Sequence, residues 1–496
     1  MPDSTILWFD FETFGSLPRP WDGGRGGPFR RRDRPAQFGA IRTTEDLQPI
    51  GDPIEIHCRP SEEEPPSIGA CRVTGIVPQD TVEGGLPEHR FMEAVLEEMS
   101  VPRTTCTGWN NFGYDDEIVR FGAWRNLLPP YDREWRDGNA RFDLLSAFRL
   151  AWTSGRRDGI EWPTYDDGAV SLRLEDLAEA NGLDDHADAA HDALGDVRAT
   201  IAMADRLKAA QPRLWSHARS LSARREVESV VDDFSRPFLL SGTGFGAARG
   251  HGTVAVMVLN PGDKQRVLVD LASDPEVLLD LDPRTLHARF HSWPVDPEER
   301  IPVRRLRVNQ VPMVAPTSVL RDDEAWTSLG LDRGEVERRL EFVTTHRQRI
   351  AERLRLVLDE PRPEDDGEVD VEERLYEGFV SDTDLRHMRE ARQGGPDDVR
   401  RVMRRTSDDR VEEIAFRYLG RVHPDALDEE ERARWIAYRR DRLLGPGSGD
   451  EARILEGLRA IESARGEETD PRIVDEVERW TLALAESSDV TVAPDA

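Results

Sequence analysis

A largely apolar run rich in β-branched and aromatic residues, ended by Gly15, predicts a β-strand near the start of the chain, over residues 6–15. A strand places every second side chain on the same face, so Asp10 and Glu12 share one face. Phe9 and Phe11 then fill the opposite, apolar face. Two carboxylates side by side in an apolar strand repel each other and lose hydration, and a divalent cation that prefers oxygen ligands relieves both effects. In a chain with 97 acidic residues an acid-x-acid triplet also arises by chance, so the pair alone does not establish a metal site.

The same patterns predict the order of elements in the first part of the chain. The predicted elements are strands over 36–42 and 54–58, helices over 91–99, 171–182 and 187–207, and a mobile Gly/Arg-rich loop over 16–33. Ser171 is expected to cap the helix that follows it. Another helix is expected to begin near Asp115, for which a structural N-cap role is the alternative to a chemical one.

After Pro212 the pattern changes to short strands, which predict a small β-barrel between residues 238 and 319. Its clearest feature is a hairpin formed by residues 253–259 and 266–271. A charged helix is expected over 335–350 and an acidic linker over 359–370. The remainder is predicted to be mostly helical, with a disordered tail.

Length and composition restrict the class of protein. A chain of 496 residues is expected to form two to four domains. No signal peptide and no apolar run long enough to span a bilayer is evident, so a membrane partner is not expected. Cys58, Cys71 and Cys106 match neither a disulfide framework nor a zinc site, and we interpret them as reduced thiols of a cytoplasmic protein.

The formal net charge of −30 argues at first against a nucleic-acid partner. Binding depends on a local basic track, however, and not on the total charge. All basic residues except Lys208 and Lys264 are arginine, which binds phosphates with two hydrogen bonds and stacks on bases. Genome base composition is the favoured explanation of the arginine bias, and the acid excess also suits adaptation to high salt.

Basic and aromatic residues alternate after residue 119, which suits single-stranded nucleic acid because arginine neutralises phosphates and aromatic faces stack bases. A charged helix surface over core aromatics is the alternative. The residues are Arg120, Arg125, Tyr131, Trp135, Arg141 and Arg149.

Four carboxylates and one imidazole from three segments make a set that two-metal phosphodiester hydrolysis requires: Asp10, Glu12, Asp115, His191 and Asp196. Carboxylates can hold two Mg²⁺ ions about 4 Å apart, at the attacking and the leaving oxygen. A histidine with an ordinary pKa near 6.5 can accept a proton from the attacking water at neutral pH.

The set resembles the DEDDh exonucleases, through Asp10-x-Glu12, Asp115 after Asn110-Asn111, and His191-x4-Asp196. Longer phrases are similar to the bacterial exonuclease I family over nearly the whole chain. They are FDFETFG at 9–15, DRPAQF at 33–38, SLRL at 171–174, AHDA at 190–193, QPRL at 211–214 and LYEGF at 375–379. The loop 16–32 is longer than the family's usual connection, and so is the spacing between Gly182 and His191.

The resemblance implies an α/β RNase H-like nuclease domain with a mixed central sheet and flanking helices, an SH3-like β-barrel domain and an all-α C-terminal domain. The expected boundaries are 1–210, 211–360 and 361–490, with a disordered tail over 491–496. The implied activity is Mg²⁺-dependent 3′→5′ hydrolysis of single-stranded DNA that releases 5′-mononucleotides, with two ions per site and Mn²⁺ as a possible substitute.

The resemblance also implies roles for individual residues. Asp10, Glu12 and Asp196 are expected to bind metal, Asp115 to complete the acidic set and His191 to act as the base. Glu12 and Arg173 are expected to contact the substrate. The expected DNA-binding residues are Arg120, Tyr131, Trp135 and Arg149.

The implied partners are single-stranded DNA and the acidic C-terminal tail of single-strand binding protein, and we expect a monomer. Two alternatives stay open at the level of sequence. One is an RNA-directed DEDDh exoribonuclease, because pocket details determine the sugar preference. The other is a non-catalytic single-strand-binding repair scaffold, which has no need for clustered carboxylates.

Overall fold

The computed structural model of the chain describes residues 4–15, 29–183, 192–242, 252–291, 299–358, 369–444, 453–466 and 469–488. Within these ranges, no helix combines the length and the apolar character needed to cross a membrane. His191, the loop 16–28, the linker 359–368 and the tail 489–496 lie outside the described residues.

The described chain alternates strands and helices in its first part and is largely helical at its end. The strands are β1 (Thr5–Gly15), β2 (Arg34–Thr44), β3 (Ile54–His57), β4 (Thr104–Thr107), β5 (Ala140–Arg141), β6 (Phe238–Ser241), β7 (Gly252–Leu259), β8 (Gln265–Asp270), β9 (Val303–Arg307) and β10 (Met313–Pro316). The helices are α1 (Phe29–Arg32), α2 (Ile68–Thr74), α3 (Pro78–Val82), α4 (Glu88–Met99), α5 (Asp115–Arg125), α6 (Leu144–Thr153), α7 (Leu174–Ala180), α8 (Ala193–Ala210), α9 (Pro212–Ser220), α10 (Arg224–Val231), α11 (Val277–Asp280), α12 (Pro283–His291), α13 (Asp323–Ser328), α14 (Arg333–Leu358), α15 (Asp382–Gln393), α16 (Pro396–Arg405), α17 (Asp409–Val422), α18 (Glu429–Leu444), α19 (Arg453–Arg465) and α20 (Pro471–Ser487).

The chain divides into two compact units, and each unit is built from segments that are separated in the sequence. The first unit comprises Met1–Asn139, His186–Arg198 and Gly367–Ala496, and the second comprises Ala140–Asp185 and Ala199–Asp366. The C-terminal helices therefore belong to the same unit as the strand that carries Asp10 and Glu12. The three-domain boundaries expected from the sequence stay a prediction.

The sheet of the first unit places β1 at its centre, in the order β3-β2-β1-β4. β1 is antiparallel to β2 and parallel to β4, so the predicted mixed sheet and its first meander are confirmed. In the pairing of β1 with β2, Asp10 lies opposite Gly39 and Glu12 lies opposite Gln37.

The two faces of β1 differ as the two-residue period predicts. Phe9 and Phe11 are buried and pack with Phe38 and Phe91 in one core cluster. The rings of Phe11 and Phe38 lie 4.9 Å apart, a tilted arrangement typical of packed aromatic side chains. This core holds the strand rigidly, and its opposite face carries the two acids.

Within the first unit, the C-terminal helices α15, α16 and α17 pack against helix α5. Phe121 and Trp124 of α5 lie in one core cluster with apolar residues of α15, α16 and α17. The indole nitrogen of Trp124 donates to the backbone oxygen of Val371, at 3.1 Å. Val371 begins a 3-10 segment, Val371–Glu377, that contains most of the LYEGF phrase.

The second unit contains a separate antiparallel sheet with the order β10-β6-β7-β8-β9. The predicted hairpin is formed by β7 and β8, and the arginine-bearing strand is β9. The charged helix expected over 335–350 is longer than predicted: α14 comprises 26 residues.

Two local predictions are wrong. The described end of the expected loop, Phe29–Arg32, is helical, because Arg32 is buried and its Nε lies 3.4 Å from Glu373 Oε1. Ser171 does not cap α7, whose N-cap residue is Arg173. Helix α16 lies in the part of the chain predicted to be mostly helical, and its buried residues are Val399 and Val402.

Candidate active site

Three of the predicted acids meet at one point of the first unit. Carboxylate oxygens of Asp10, Glu12 and Asp196 all lie within 4.8 Å of one another. Glu12 is buried, and the other two are half-buried. Oxygen donors at this spacing form a suitable ligand set for a hard divalent cation.

A glycine allows α8 to bring Asp196 to the strand. A Cβ atom added at Gly39 would lie 2.7 Å from the carbonyl carbon of Ala193, closer than real Cβ contacts allow. Because Gly39 lies opposite Asp10, the first turn of α8 can rest directly on the sheet beside the acids. Asp196 falls in that first turn.

Asp115 joins this group through the backbone of β1. It is the first residue of α5, and its Oδ1 accepts a hydrogen bond from the backbone N–H of Phe11 at 3.1 Å. Phe11 stands between the two acids of β1, so Asp115 both orients that strand and adds a carboxylate beside them. The helix-capping alternative is wrong, because the N-cap residue is Tyr114.

The turn before α5 explains why Asn110 and Asn111 precede Asp115. Asn110 adopts a positive φ of 60°, which asparagine tolerates better than most residues. The buried Asn111 accepts a hydrogen bond from the N–H of Gly108 through Oδ1, at 3.1 Å. Gly108 in turn passes so close to β1 that an added Cβ would lie 2.5 Å from Phe9 O. The turn therefore fixes the distance between the start of α5 and β1.

A tyrosine next to Asp115 ties the end of β1 to the residue that precedes β2. The hydroxyl of Tyr114 donates to Asp33 Oδ2 at 2.9 Å and lies 2.7 Å from Thr13 Oγ1. Asp33 also accepts at its backbone oxygen from Arg125 of α5, at 3.0 Å. The sequence patterns gave no role to Tyr114, Thr13 or Asp33, although Asp33 lies in the DRPAQF phrase.

The electrostatics of the acids favour binding a cation. Burial, followed by repulsion from Asp196, Asp115 and Asp192, raises the pKa of Glu12 to about 8. Burial and then repulsion from Asp115, Glu12 and Asp196 raise the pKa of Asp10 well above its ordinary value. Each group therefore resists ionisation until positive charge arrives.

The predicted DNA-binding residues of the first unit differ in their surroundings. Trp135 is 63% exposed, whereas Tyr131 is half-buried with its ring 6.2 Å from that of Phe379. Arg120 donates to Glu134 through Nε at 2.8 Å and to Glu117 through Nη1 at 2.8 Å. An arginine held by two carboxylates has less free charge for a phosphate, and its DNA contact stays a prediction.

The two predicted arginines of the second unit also differ. Arg173 is exposed and its Nη2 lies 3.4 Å from Glu175 Oε1. Arg149 of α6 is half-buried, and burial lowers its pKa although Asp143 opposes this. Arg173 is therefore accessible to a ligand, and its substrate contact stays a prediction.

Comparisons with known proteins agree with this architecture. Three family models match in succession: "Exonuclease" over residues 7–204, "Exonuclease I SH3-like domain" over 222–360 and "Exonuclease I C-terminal domain" over 369–484. A relative from Escherichia coli (strain K12), exodeoxyribonuclease I, is 35% identical over 461 residues, which cover 91% of this chain and 93% of the relative.

Two solved structures have similar folds. A zinc-bound form of the E. coli ExoI–ssDNA complex has a TM-score of 0.84 and 31% identity, over 98% of this chain and 100% of the other. An ExoI/SSB-Ct complex has a TM-score of 0.84 and 30% identity, over 99% of this chain and 100% of the other.

A mixed RNase H-like sheet whose central strand carries two acids, with a third acid supplied by a helix, defines a metal-dependent exonuclease. Within this class, the matches to the exonuclease I SH3-like and C-terminal domain models, together with the similarity along nearly the whole chain, identify one family. The chain belongs to the exonuclease I family.

Proposed function

We propose that this protein removes mononucleotides from the 3′ end of single-stranded DNA by Mg²⁺-dependent hydrolysis, with Mn²⁺ as a substitute. The observation that carries the proposal is the meeting of carboxylate oxygens from Asp10, Glu12 and Asp196 within 4.8 Å. The relatives support the substrate, since the E. coli relative is named exodeoxyribonuclease I and a similar structure holds single-stranded DNA.

The donor set suits a divalent ion of the Mg²⁺ type, and the proposal places two such ions at the site. All three ligands are carboxylates, and the raised pKa values of Asp10 and Glu12 express the repulsion that a cation would cancel. Bound ions would stabilise the charge on the attacking and leaving oxygens of an in-line displacement.

The protein's own residues orient the reactants in this proposal. Asp115 holds the backbone of β1 between the two acids, so that the ligands keep their spacing. His191, which lies outside the described residues, accepts the proton of the attacking water. Glu12 also orients the terminal sugar hydroxyl, and Arg173 contacts the substrate.

Exposed aromatic side chains supply a surface on which bases can stack. Trp135 and Phe379 are 63% and 85% exposed, far more than aromatic side chains in a core. Stacking on such rings tolerates any base, as an exonuclease that degrades all sequences requires. We propose that Tyr131 and Arg120 extend this DNA track within the first unit, and that Arg149 of the second unit also contacts DNA.

A group of arginines in the second unit suits an acidic peptide. Burial, and then repulsion from Arg321 and Arg213, lower the pKa of Arg156, with Asp158 opposing. Arg213 and Arg321 are exposed. We propose that this group binds the acidic tail of single-strand binding protein. Arg321→Glu should abolish binding of that peptide in fluorescence anisotropy, whereas Arg284→Glu, at another exposed arginine, should not.

We expect the protein to act as a monomer in the cytoplasm. Its three cysteines are free and buried, as the sequence-based interpretation requires.

One digestion experiment tests the proposed function. Single- and double-stranded DNA and matched RNA, labelled at the 3′ or the 5′ end, are incubated with the protein, with and without Mg²⁺. We expect labelled mononucleotide first from 3′-labelled single-stranded DNA, only with Mg²⁺, and none from Asp10→Asn. Faster digestion of RNA would support the exoribonuclease alternative, and binding without digestion would support the scaffold alternative.

A further inference from the structure

We infer that Gln37 is a positioning residue: it holds the first turn of α8 against the sheet and so fixes Asp196 at the metal-binding site. The inference rests on the proposed function for the role of that site. Gln37 is buried and lies opposite Glu12 in the pairing of β1 with β2. Directly opposed residues of antiparallel strands point to the same face, so Gln37 belongs to the face that carries the acids.

The side-chain amide of Gln37 uses its donors and its acceptor at the start of α8 and on β3. Its Nε2 donates to Asp192 Oδ1 at 3.0 Å and to Glu55 Oε1 at 2.9 Å. Its Oε1 accepts from the backbone N–H of Ala193 at 3.3 Å. A glutamate at this position would lack both donors, and an apolar residue would lack all three bonds.

The hydrogen bonds of Gln37 hold the start of α8, which already lies very close to β2. Gly39, two residues along β2 on the same face, leaves the space that Ala193 occupies. Gly39 thus permits the approach of α8, and Gln37 supplies the hydrogen bonds that define its position. A helix N-terminus has backbone N–H groups without partners inside the helix, and Gln37 satisfies one of them.

The position of residues 192 and 193 determines that of the metal ligand. The backbone N–H of Asp196 donates to the backbone oxygen of Asp192 at 3.1 Å, which is the first bond of the helix. A shift of Asp192 therefore moves Asp196 as well. Such outer partners of metal ligands typically change metal affinity or activity by about 10–100-fold when they are removed.

The test compares Gln37→Met, which keeps the length of the side chain without its hydrogen bonds, with Gln48→Ala at an exposed glutamine. Binding of Mn²⁺ to the metal-free full-length protein is measured by calorimetry, and kcat and KM are measured on single-stranded DNA. We expect Gln37→Met to raise the Kd for Mn²⁺ about 10–100-fold and to lower kcat by a similar factor. The KM of Gln37→Met for DNA should stay within about twofold of the wild type. The Kd for Mn²⁺ and the kcat of Gln48→Ala should also stay within about twofold.

Gln37→Asn provides a second variant, because it keeps the amide but shortens its reach, and circular dichroism shows which variants are folded. A folded Gln37→Met or Gln37→Asn protein with unchanged Mn²⁺ affinity would overturn the inference. A raised KM with unchanged Mn²⁺ affinity would also overturn it. A wild-type protein that binds Mn²⁺ but does not hydrolyse DNA would count against the proposed function and not against this role of Gln37.

Discussion

The first unit contains two clusters of desolvated carboxylates that have opposite properties. At the candidate active site the pKa of Glu12 is raised to about 8. In the second cluster burial alone would raise the pKa of Glu88, but Arg125, Arg34 and Arg421 lower it to about 2. The same chemical group is thus pushed toward its neutral form at one place and toward its charged form at the other.

The second cluster, which we call the arginine network, consists of Arg34, Glu63, Glu88, Arg125, Glu372 and Arg421. Arg34 lies 3.1 Å from both Glu88 and Glu372. Arg421 of α17 binds both oxygens of Glu63 at 2.6 Å and also contacts Glu372.

Burial alone does not decide how an acid behaves. It raises the pKa in both clusters, and the neighbouring charges add to this effect at Glu12 but reverse it at Glu88. The arginine network neutralises itself and joins β2 and α4 to the C-terminal helices. The candidate active site instead collects acids that repel one another, and it is held in that state by the aromatic core below β1. A protein keeps such an arrangement where an external cation is to bind.

The largest expected effect comes from removing one acid of the site. Asp10→Asn should lower kcat with Mg²⁺ about 10³-fold or more, because a metal ligand contributes several kcal/mol to the stabilisation of transition-state charge. Release of mononucleotides from single-stranded DNA measures the effect. Asp46→Asn, at an exposed acid of the first unit, should retain full activity. Comparable activity in Asp10→Asn would rule out the metal site.

The next largest effect is expected from breaking the arginine network. Arg421→Met leaves Glu63 and Glu372 buried without their main partner, which should lower the free energy of unfolding by about 3–5 kcal/mol. Urea unfolding followed by circular dichroism measures this change. Arg401→Met, which removes a surface ion pair with Asp398, should cost less than about 1 kcal/mol. Equal effects of the two variants would mean that the network does not stabilise the unit.

The pH dependence of stability should distinguish the two clusters. Because the pKa of Glu12 rises on folding, the metal-free folded protein binds more protons than the unfolded chain between about pH 4.5 and 8. The free energy of unfolding should therefore fall across this window as pH rises, and Glu12→Gln should recover about 4 kcal/mol near pH 8. Thermal unfolding in EDTA measures this difference. A flat profile in the wild type would contradict the raised pKa.

The arginine network should act at the opposite end of the pH scale. Because the pKa of Glu88 is lowered on folding, its contribution is present above about pH 4.5 and is lost as pH falls toward 2. Glu88→Gln should therefore weaken the protein at pH 7 but make little difference at pH 2.5. The same thermal unfolding series, extended to low pH, provides the measurement.

The smallest expected effect concerns the tyrosine that ties β1 to the start of β2. Tyr114→Phe removes the hydrogen bonds to Asp33 and Thr13 while keeping the ring, and should cost about 1–2 kcal/mol of stability. Activity should fall less than about tenfold, because Asp115 keeps its bond to Phe11. A loss as large as that of Asp10→Asn would mean that Tyr114 contacts the reactants.

The sequence was most informative where a short local pattern determines the structure. The two-residue period correctly placed Asp10 and Glu12 opposite Phe9 and Phe11, since one strand contains all four. Asp115 at the start of a helix followed from equally local signals, and the meeting of Asp196 with β1 is consistent with the expected ligand set.

The sequence was least informative about charges that meet across long separations. Arg34 and Glu372 are 338 residues apart, and no local pattern relates them. Arginine also looks the same in a sequence whether it pairs with an acid or binds DNA, which is why Arg120 was grouped with the DNA track before its contacts with Glu134 and Glu117 were known. Gln37 was visible only as part of a family phrase, because its partners at 55 and 192–193 come together through the fold.

The acids of the candidate active site are expected to stay partly protonated until a cation binds. Calorimetry of Mn²⁺ binding at pH 7, repeated in buffers with different ionisation enthalpies, gives the number of protons released per protein. With the pKa of Glu12 near 8, we predict release of about one proton or more at pH 7, decreasing as pH rises above 8. Release of no protons between pH 6 and 8 would show that the acids are already ionised and would contradict the account.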